Sequence, residues 1–270
     1  MSETLTLLVD NGSLEPAATL ALRGLAVKLG ERIGQKIEPI SLLHSSKVPP
    51  DQLNGIGAEI LEPALERRIK AGQQEFLILP LFFGPSGALT DYLPARLVHL
   101  RTKQAKFSAQ IAAPLFQPDD DRLARILADH VKEVGGTARR VALVDHGSPA
   151  RAVADVRNAL AQQLGALLGK DYTVAASSME RREGAEYDFC EPLLARTLRQ
   201  PGWQTGDVTV AMQFLLPGRH AGPGGDVAEI CRAAERASGG NLRTTMTALV
   251  AEHPLLIGIL ADRWLKASSA

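Results

Sequence analysis

Short apolar runs alternate along this chain with longer segments whose apolar positions recur at helical spacing. The run Leu5-Thr-Leu-Leu-Val9 is closed by the turn cluster Asp10-Asn11-Gly12-Ser13, and Ala17, Leu20, Ala21, Leu25 and Leu29 then fall near a 3.6-residue period. That order predicts a strand, a turn and a helix. Lys36 to Leu43 reads as a second strand, and Pro49-Pro50 breaks the chain before a helix running to about Lys70. Phe76 to Phe83 is continuously apolar, as expected of a strand covered on both faces, and Gly84-Pro-Ser-Gly87 ends it. A helix from near Thr90, a weaker strand over Ala109 to Pro114 and a helix over Asp121 to Val134 complete this half, with Gly135-Gly136 as its stop.

The same order then returns. Arg140-Val-Ala-Leu-Val-Asp-His-Gly-Ser148 matches Leu5 to Ser13 at an offset of 135, and Glu191 to Leu198 matches Glu62 to Ile69 at 129. Phe214-Leu-Leu-Pro-Gly-Arg-His220 matches Phe82 to Ala88 at 132, and Gly258 to Arg263 matches Arg125 to His130 at 133. So long a period means duplicated domains and not a solenoid, whose repeats are roughly 20–50 residues. Strands alternating with amphipathic helices predict an α/β fold of two similar lobes facing each other across a cleft. Each lobe is a small parallel sheet flanked by helices, residues 1–136 forming the first and 137–270 the second. In this arrangement a terminal helix can pack on the opposite lobe, and ligands are expected beyond the carboxyl ends of the strands.

Composition narrows the function classes. The 270 residues carry 30 basic and 30 acidic side chains, so no global field favours nucleic acid or an anionic membrane. No apolar run approaches the roughly 20 residues of a bilayer span, and Met1 to Leu8 has no basic region ahead of a long apolar core, so the expected location is cytoplasmic. Cys190 and Cys231 lack metal-ligand spacing and read as buried thiols.

The two halves differ where chemistry would sit. Both keep glycine and serine at Gly12/Gly147 and Ser13/Ser148, which a turn followed by a helix N-cap explains. Asn11 faces His146, however, Ala88 faces His220 and, on a looser match, His44 faces Glu180. The second half therefore holds His, Glu and His at three strand ends. Imidazole is the commonest metal ligand and also suits proton traffic near neutrality. Two imidazoles with one carboxylate make an incomplete cage, suited to an ion held briefly and passed on. Other features have plainer readings. Asp145-His146-Gly-Ser148 holds the residue types of a hydrolase triad without a nucleophile elbow, and Gly165 to Asp171 departs from a P-loop in spacing and in its last residue. Gly222-Pro-Gly-Gly-Asp226 reads as a loop with Asp226 capping a helix, or second as a backbone nest for a carboxylate. His99 and His253 read as surface or capping residues, and His130, matched by Arg263, as part of a solvated face.

Strand-Val-Asp-His-Gly-Ser, a carboxylate further on, and Phe-Leu-Leu-Pro-Gly-Arg-His before an Asp-Val resemble the class II tetrapyrrole chelatases, specifically the CbiX/SirB sirohydrochlorin chelatases in their long, two-lobed form. The resemblance covers nearly the whole chain. It implies a chelatase-like fold and ATP-independent insertion of Fe²⁺ into sirohydrochlorin to give siroheme, or of Co²⁺ on the way to cobalamin. The metal is then a substrate, with no permanently bound cofactor. His146 and His220 match the family's metal-binding and proton-accepting histidines, and Glu180 its carboxylate, with Glu183 as the alternative. The first lobe departs from the motif at Asn11 and Ala88, which implies that it is catalytically degenerate. Arg219 and Arg151, with Ser148 and Gly218, are the candidates to meet the carboxylates of sirohydrochlorin. The absence of a histidine-rich tract leans the expectation toward iron. With both lobes in one chain, a monomer is expected. A non-catalytic tetrapyrrole or metal carrier is the competing class.

Overall fold

The computed structural model describes residues 4–104, 106–222 and 224–269. Two compact units account for them, residues 1–115 with 257–270, and residues 116–256. In the first unit, β1 (Leu5–Asp10), β2 (Ile37–Ser41), β3 (Glu75–Pro80) and β4 (Ser108–Ile111) form a parallel sheet in the order β2-β1-β3-β4. The helices α1 (Pro16–Ile33), α2 (Leu61–Lys70) and α3 (Leu93–Lys103) follow the first three strands. The second unit repeats this with β5 (Arg140–Asp145), β6 (Thr173–Ser178), β7 (Gly206–Met212) and β8 (Leu242–Met246) in the order β6-β5-β7-β8. Its helices are α4 (Arg122–Val134), α5 (Arg151–Leu168), the single turn α6 (Leu194–Thr197) and α7 (Asp226–Ala237).

Burial explains this order. The central strands β1, β3, β5 and β7 are almost wholly buried, so they read as unbroken apolar runs. The edge strands β4 and β8 alternate between covered and exposed positions and give the weaker signal. The first core packs Leu7, Val9, Ile40, Phe76 and Ile78 against Leu61, Leu65, Leu93 and Leu97. The second packs Val144, Val208, Val210 and Met212 against Leu194, Val227 and Cys231. Both cysteines are buried free thiols. No helix is long and apolar enough to cross a membrane, among the described residues.

The compact units and the two halves of the repeat divide the chain differently. α4 follows β4 in sequence yet belongs to the second unit, while most of the last helix, α8 (Leu255–Ser268), belongs to the first. Three bonds fix α8 there: Arg263 donates from Nε to Pro114 O at 3.1 Å and from its guanidinium to Leu115 O at 2.8 Å, and Trp264 Nε1 donates to Thr6 Oγ1 at 3.1 Å. This corrects the reading of His130 and Arg263 as a solvated face. Each is only 3% exposed, because the face that carries it covers a sheet. Polar residues on an amphipathic helix look solvated in sequence when their partners are carbonyls of a distant loop.

Register also corrects two of the sequence matches. Ser41 pairs with Asp10 as Ser178 does with Asp145, so Leu43, and not His44, corresponds to Glu180. The bridges Ser41 to Ile60 and Ser178 to Leu193 place Leu61 opposite Leu194, an offset of 133 instead of 129. The sequence match had slipped by about one helical turn, which leaves the apolar period unchanged. The helix expected before Lys70 is also shorter, since Ser45–Lys47 and Pro50–Leu53 are 3₁₀ turns.

Gly12 and Gly147 sit at matching turns with φ of 90° and 91°. A Cβ on Gly12 would lie 1.8 Å from Leu43 O, and one on Gly147 would lie 2.0 Å from Glu180 O. Both conformation and space therefore demand glycine. Gly12→Ala is expected to cost about 2 kcal/mol, whereas Gly24→Ala, on α1 with nothing within 4 Å of the added carbon, should gain up to about 1 kcal/mol. The urea midpoints of the two variants should move in opposite directions from that of the parent.

Candidate functional site

Three loops at the carboxyl ends of β5, β6 and β7 carry the second unit's distinctive side chains. His146 follows β5 directly, and the N–H of Glu180 donates to its carbonyl at 3.2 Å, two residues beyond β6. His220 lies in the loop between β7 and α7. The three come together: the imidazoles of His146 and His220 meet edge to face with centroids 4.6 Å apart and planes at 75°. Glu180 Oε1 lies 3.6 Å from His146 Nε2. His146 is 46% exposed, His220 34% and Glu180 60%, so all three reach solvent while held by their loops. Glu183 is exposed further along the same segment.

Hydrogen bonds set the tautomers. His146 Nδ1 faces Gly147 O at 2.9 Å, and His220 Nδ1 faces Asp226 Oδ2 at 2.5 Å. A carbonyl and a carboxylate only accept, so each Nδ1 carries the proton. In the neutral form such a ring leaves its Nε2 lone pair open to a cation or a proton. No group of three His, Cys, Asp or Glu side chains is already gathered at metal-binding spacing among the described residues. The arrangement is two basic nitrogens and a carboxylate side by side, open to solvent.

Asp226 departs from its sequence reading. Gly225 is the N-cap of α7, while Asp226 is the first helical residue and spends its carboxylate on His220, with Arg219 Nε 3.8 Å away. The alternative nest is filled by the chain itself, since Gly225 N–H donates to Gly222 O and Val227 N–H to His220 O; Pro223 lies outside the described residues. The other predicted residues also have definite places. Ser148 Oγ accepts from Ala150 N–H at 3.1 Å, as Ser13 Oγ does from Glu15 N–H at 3.0 Å. Both serines therefore brace the turn two residues ahead of the N-cap instead of capping the helix themselves. Gly218 O accepts Gly222 N–H at 2.8 Å, Arg219 is exposed, and Arg151 opens α5 with its guanidinium 4.7 Å from the Phe189 ring centre. His253 caps, accepting Leu255 N–H at 3.2 Å, and His99 is a surface residue 3.5 Å from Glu62.

Comparison with solved structures places this architecture. SirB from Bacillus subtilis with Fe³⁺ matches at a TM-score of 0.75 and 14% identity, over 99% of this chain and 96% of that one. SirB from Bacillus subtilis subspecies spizizenii in complex with cobalt matches at 0.70 and 14% identity, over the same shares. CbiX, described as the terminal enzyme of siroheme biosynthesis in denitrifying bacteria, matches at 0.61 and 17% identity, over 98% and 99%. The chain has the two-lobed chelatase fold. No protein-family model and no curated protein sequence matches it.

Beneath the site, the chelatase fold of this chain carries a buried polar layer that the sequence reading missed. Arg157, on α5 and 1% exposed, bonds Ser178 Oγ and donates to the carbonyls of Phe189 at 3.0 Å and Cys190 at 3.3 Å. Its guanidinium is 3.8 Å from Asp145 Oδ1. Both amide atoms of Gln213, next to Asp145 across β7, are buried with no hydrogen-bond partner among the described residues. The first unit has Leu22 and Leu81 at the corresponding places. An arginine on the buried face of a helix was the available signal.

Burial raises the pKa of Asp145, against the opposing pull of the Ser178 hydroxyl and Arg157. Its counterpart Asp10 has no such cation, and burial lifts it from 3.8 to about 6 against a hydrogen bond from Ser41. Folded Asp10 therefore holds its proton more tightly than the unfolded chain does. Its stabilising contribution is complete below about pH 4 and is lost as the pH rises through about 6, a change of about 3 kcal/mol. Asp10→Asn is expected to flatten the decline of unfolding free energy between pH 4 and 7 by about that amount, measured by denaturant titration at a series of pH values.

Proposed function

We propose that this chain inserts a divalent metal, Fe²⁺ or alternatively Co²⁺, into sirohydrochlorin without ATP. The observation that carries the proposal is the juxtaposition of His146, His220 and Glu180 at three strand ends of one unit. The other unit has Asn11, Ala88 and Leu43 at those places. The shared fold, and the Fe³⁺ and cobalt of the two SirB structures, support the same reading.

Metallation exchanges one hydrated divalent ion for two pyrrole N–H protons, with no redox change and no bond hydrolysed. The Nε2 lone pairs of His146 and His220 can replace water on the ion, one at a time or together. Glu180, within reach of His146 and exposed, can receive released protons and return them to solvent. Because two nitrogens and one carboxylate do not close a coordination shell, the ion stays exchangeable, as a substrate must. Asp226 keeps the proton on His220 Nδ1 and so keeps Nε2 available. Arg151 and Arg219, with the backbone near Ser148 and Gly218, would hold the macrocycle's carboxylates.

Anaerobic metal insertion into sirohydrochlorin, followed by absorbance with Fe²⁺ and Co²⁺ in parallel, tests this. Wild type should accelerate insertion, and His146→Ala or His220→Ala should remove about 100-fold or more of the acceleration. Asp226→Asn should lose about tenfold, with partial recovery in Asp226→Glu. Pigment binding without acceleration would leave a carrier, and no pigment binding would remove the tetrapyrrole altogether. The ratio of the two metal rates distinguishes iron from cobalt.

A further inference from the structure

The segment from Glu180 to Cys190 holds side chains that metal binding leaves unused. Both its ends are tied to the His146 loop, through Glu180 N–H to His146 O at 3.2 Å and Cys190 Sγ to Ser148 O at 3.3 Å. Between these ties Tyr187 and Phe189 pack edge to face at 6.3 Å. The Arg182 guanidinium lies 6.0 Å from the Tyr187 ring centre, and that of Arg151 lies 4.7 Å from the Phe189 ring centre. Arg157 fixes the row from below by donating to Phe189 O.

The neighbouring charges are disposed differently. Asp188 is bonded by Arg181, and Glu191 takes Arg196 at 3.2 Å, Arg181 at 3.6 Å and the N–H of Leu193 at 3.0 Å. Glu183 and Glu186 are exposed, and Glu186 folds back over Gly184. Arg151 and Arg182 are exposed and make no ion pair among the described residues. A guanidinium resting on a ring loses rotational freedom, yet its edge N–H groups stay free for an in-plane acceptor. Carboxylate is the acceptor that matches that fork. The first unit lacks the arrangement: Pro16 stands at the position of Arg151, and residues 42–60 contain no arginine, phenylalanine, tyrosine or tryptophan.

We infer that Arg151 and Arg182, each held against an aromatic ring, form a two-point clamp for peripheral carboxylates of a flat polyanion presented to the His146 loop. The inference rests on the proposed function for the identity of that polyanion, and adds Arg182, Tyr187 and Phe189 to the groups that hold it. Two points set apart by a pair of edge-to-face rings select a rigid ligand whose carboxylates are spaced around a rim over a single small anion.

Uroporphyrin III, with eight carboxylates and no need of metal insertion, is the probe, its binding followed by fluorescence quenching. Arg182→Ala is expected to weaken binding about tenfold, with Arg182→Lys between it and wild type because the charge remains while the fork is lost. Arg243→Ala, which removes the same charge from an exposed position on β8, should bind as wild type does. Coproporphyrin III, with four carboxylates, should lose less from Arg182→Ala. Binding of Arg182→Ala within twofold of wild type, an equal loss in Arg243→Ala, or no uroporphyrin binding by wild type would each overturn the clamp. If wild type fails to metallate sirohydrochlorin while uroporphyrin binding still depends on Arg182, the clamp stands and the chelatase reading falls.

Discussion

The buried guanidinium of Arg157 bonds a strand-end serine and two loop carbonyls at once, and lies 3.8 Å from Asp145 at the end of β5. A cation this deep persists only where several acceptors replace its lost hydration. Those acceptors belong to β5, to β6 and to the 3₁₀ segment Ala185–Cys190, the elements that carry or border His146, Glu180, Tyr187 and Phe189. One buried charge thus couples the placement of the His146 and Glu180 loops to that of the aromatic row. Satisfying the guanidinium requires all of them to be where they are.

The internal duplication separates what the scaffold requires from what chemistry adds. Gly12 and Gly147 share a close approach to a carbonyl, and Ser13 and Ser148 share a turn bond, so these residues answer to the crossover geometry of both units. His146, Glu180, His220, Arg157 and Gln213 have no polar equivalent beyond Asn11; leucine or alanine fills the other four places in the first unit. Since leucines serve the first unit's sheet at the places of Arg157 and Gln213, folding alone does not call for polar residues there. Gln213 sharpens this, because a buried amide with neither atom bonded among the described residues is a cost that a scaffold would shed.

Much of this was legible in the sequence. The four strands of the first half, the parallel α/β alternation and the repeat follow from apolar runs alternating with helical periods, and two of the three candidate side chains, His146 and His220, sit in motifs whose offset the structure keeps. The missed parts share one physical origin. The place of Glu180 opposite Leu43, the one-turn slip at α6, the burial of His130 and Arg263 and the bond from His220 to Asp226 all depend on connections between elements. Loops change length freely between the two halves, so a fixed offset fails across them. Periodicity likewise cannot say which sheet a helix will cover when both are equally apolar.

The state of the two imidazoles ties these strands of reasoning to chemistry. Had either ring donated from Nε2, its open nitrogen would be Nδ1, the ring nitrogen nearer its own backbone. Instead Gly147 O and Asp226 Oδ2 each claim an Nδ1 proton, so both lone pairs lie at the outer end of the ring. Glu180 stands beside one of them and Asp226 behind the other, which gives the pair unequal surroundings despite edge-to-face contact. Unequal neighbours favour divided labour. The ring backed by a carboxylate is the stronger donor to a cation, and the ring flanked by an exposed carboxylate is the better placed to take a proton and pass it to water. In the proposed metallation this division would give the ion to His220 and the proton transfer to His146, from where Asp226 and Glu180 stand.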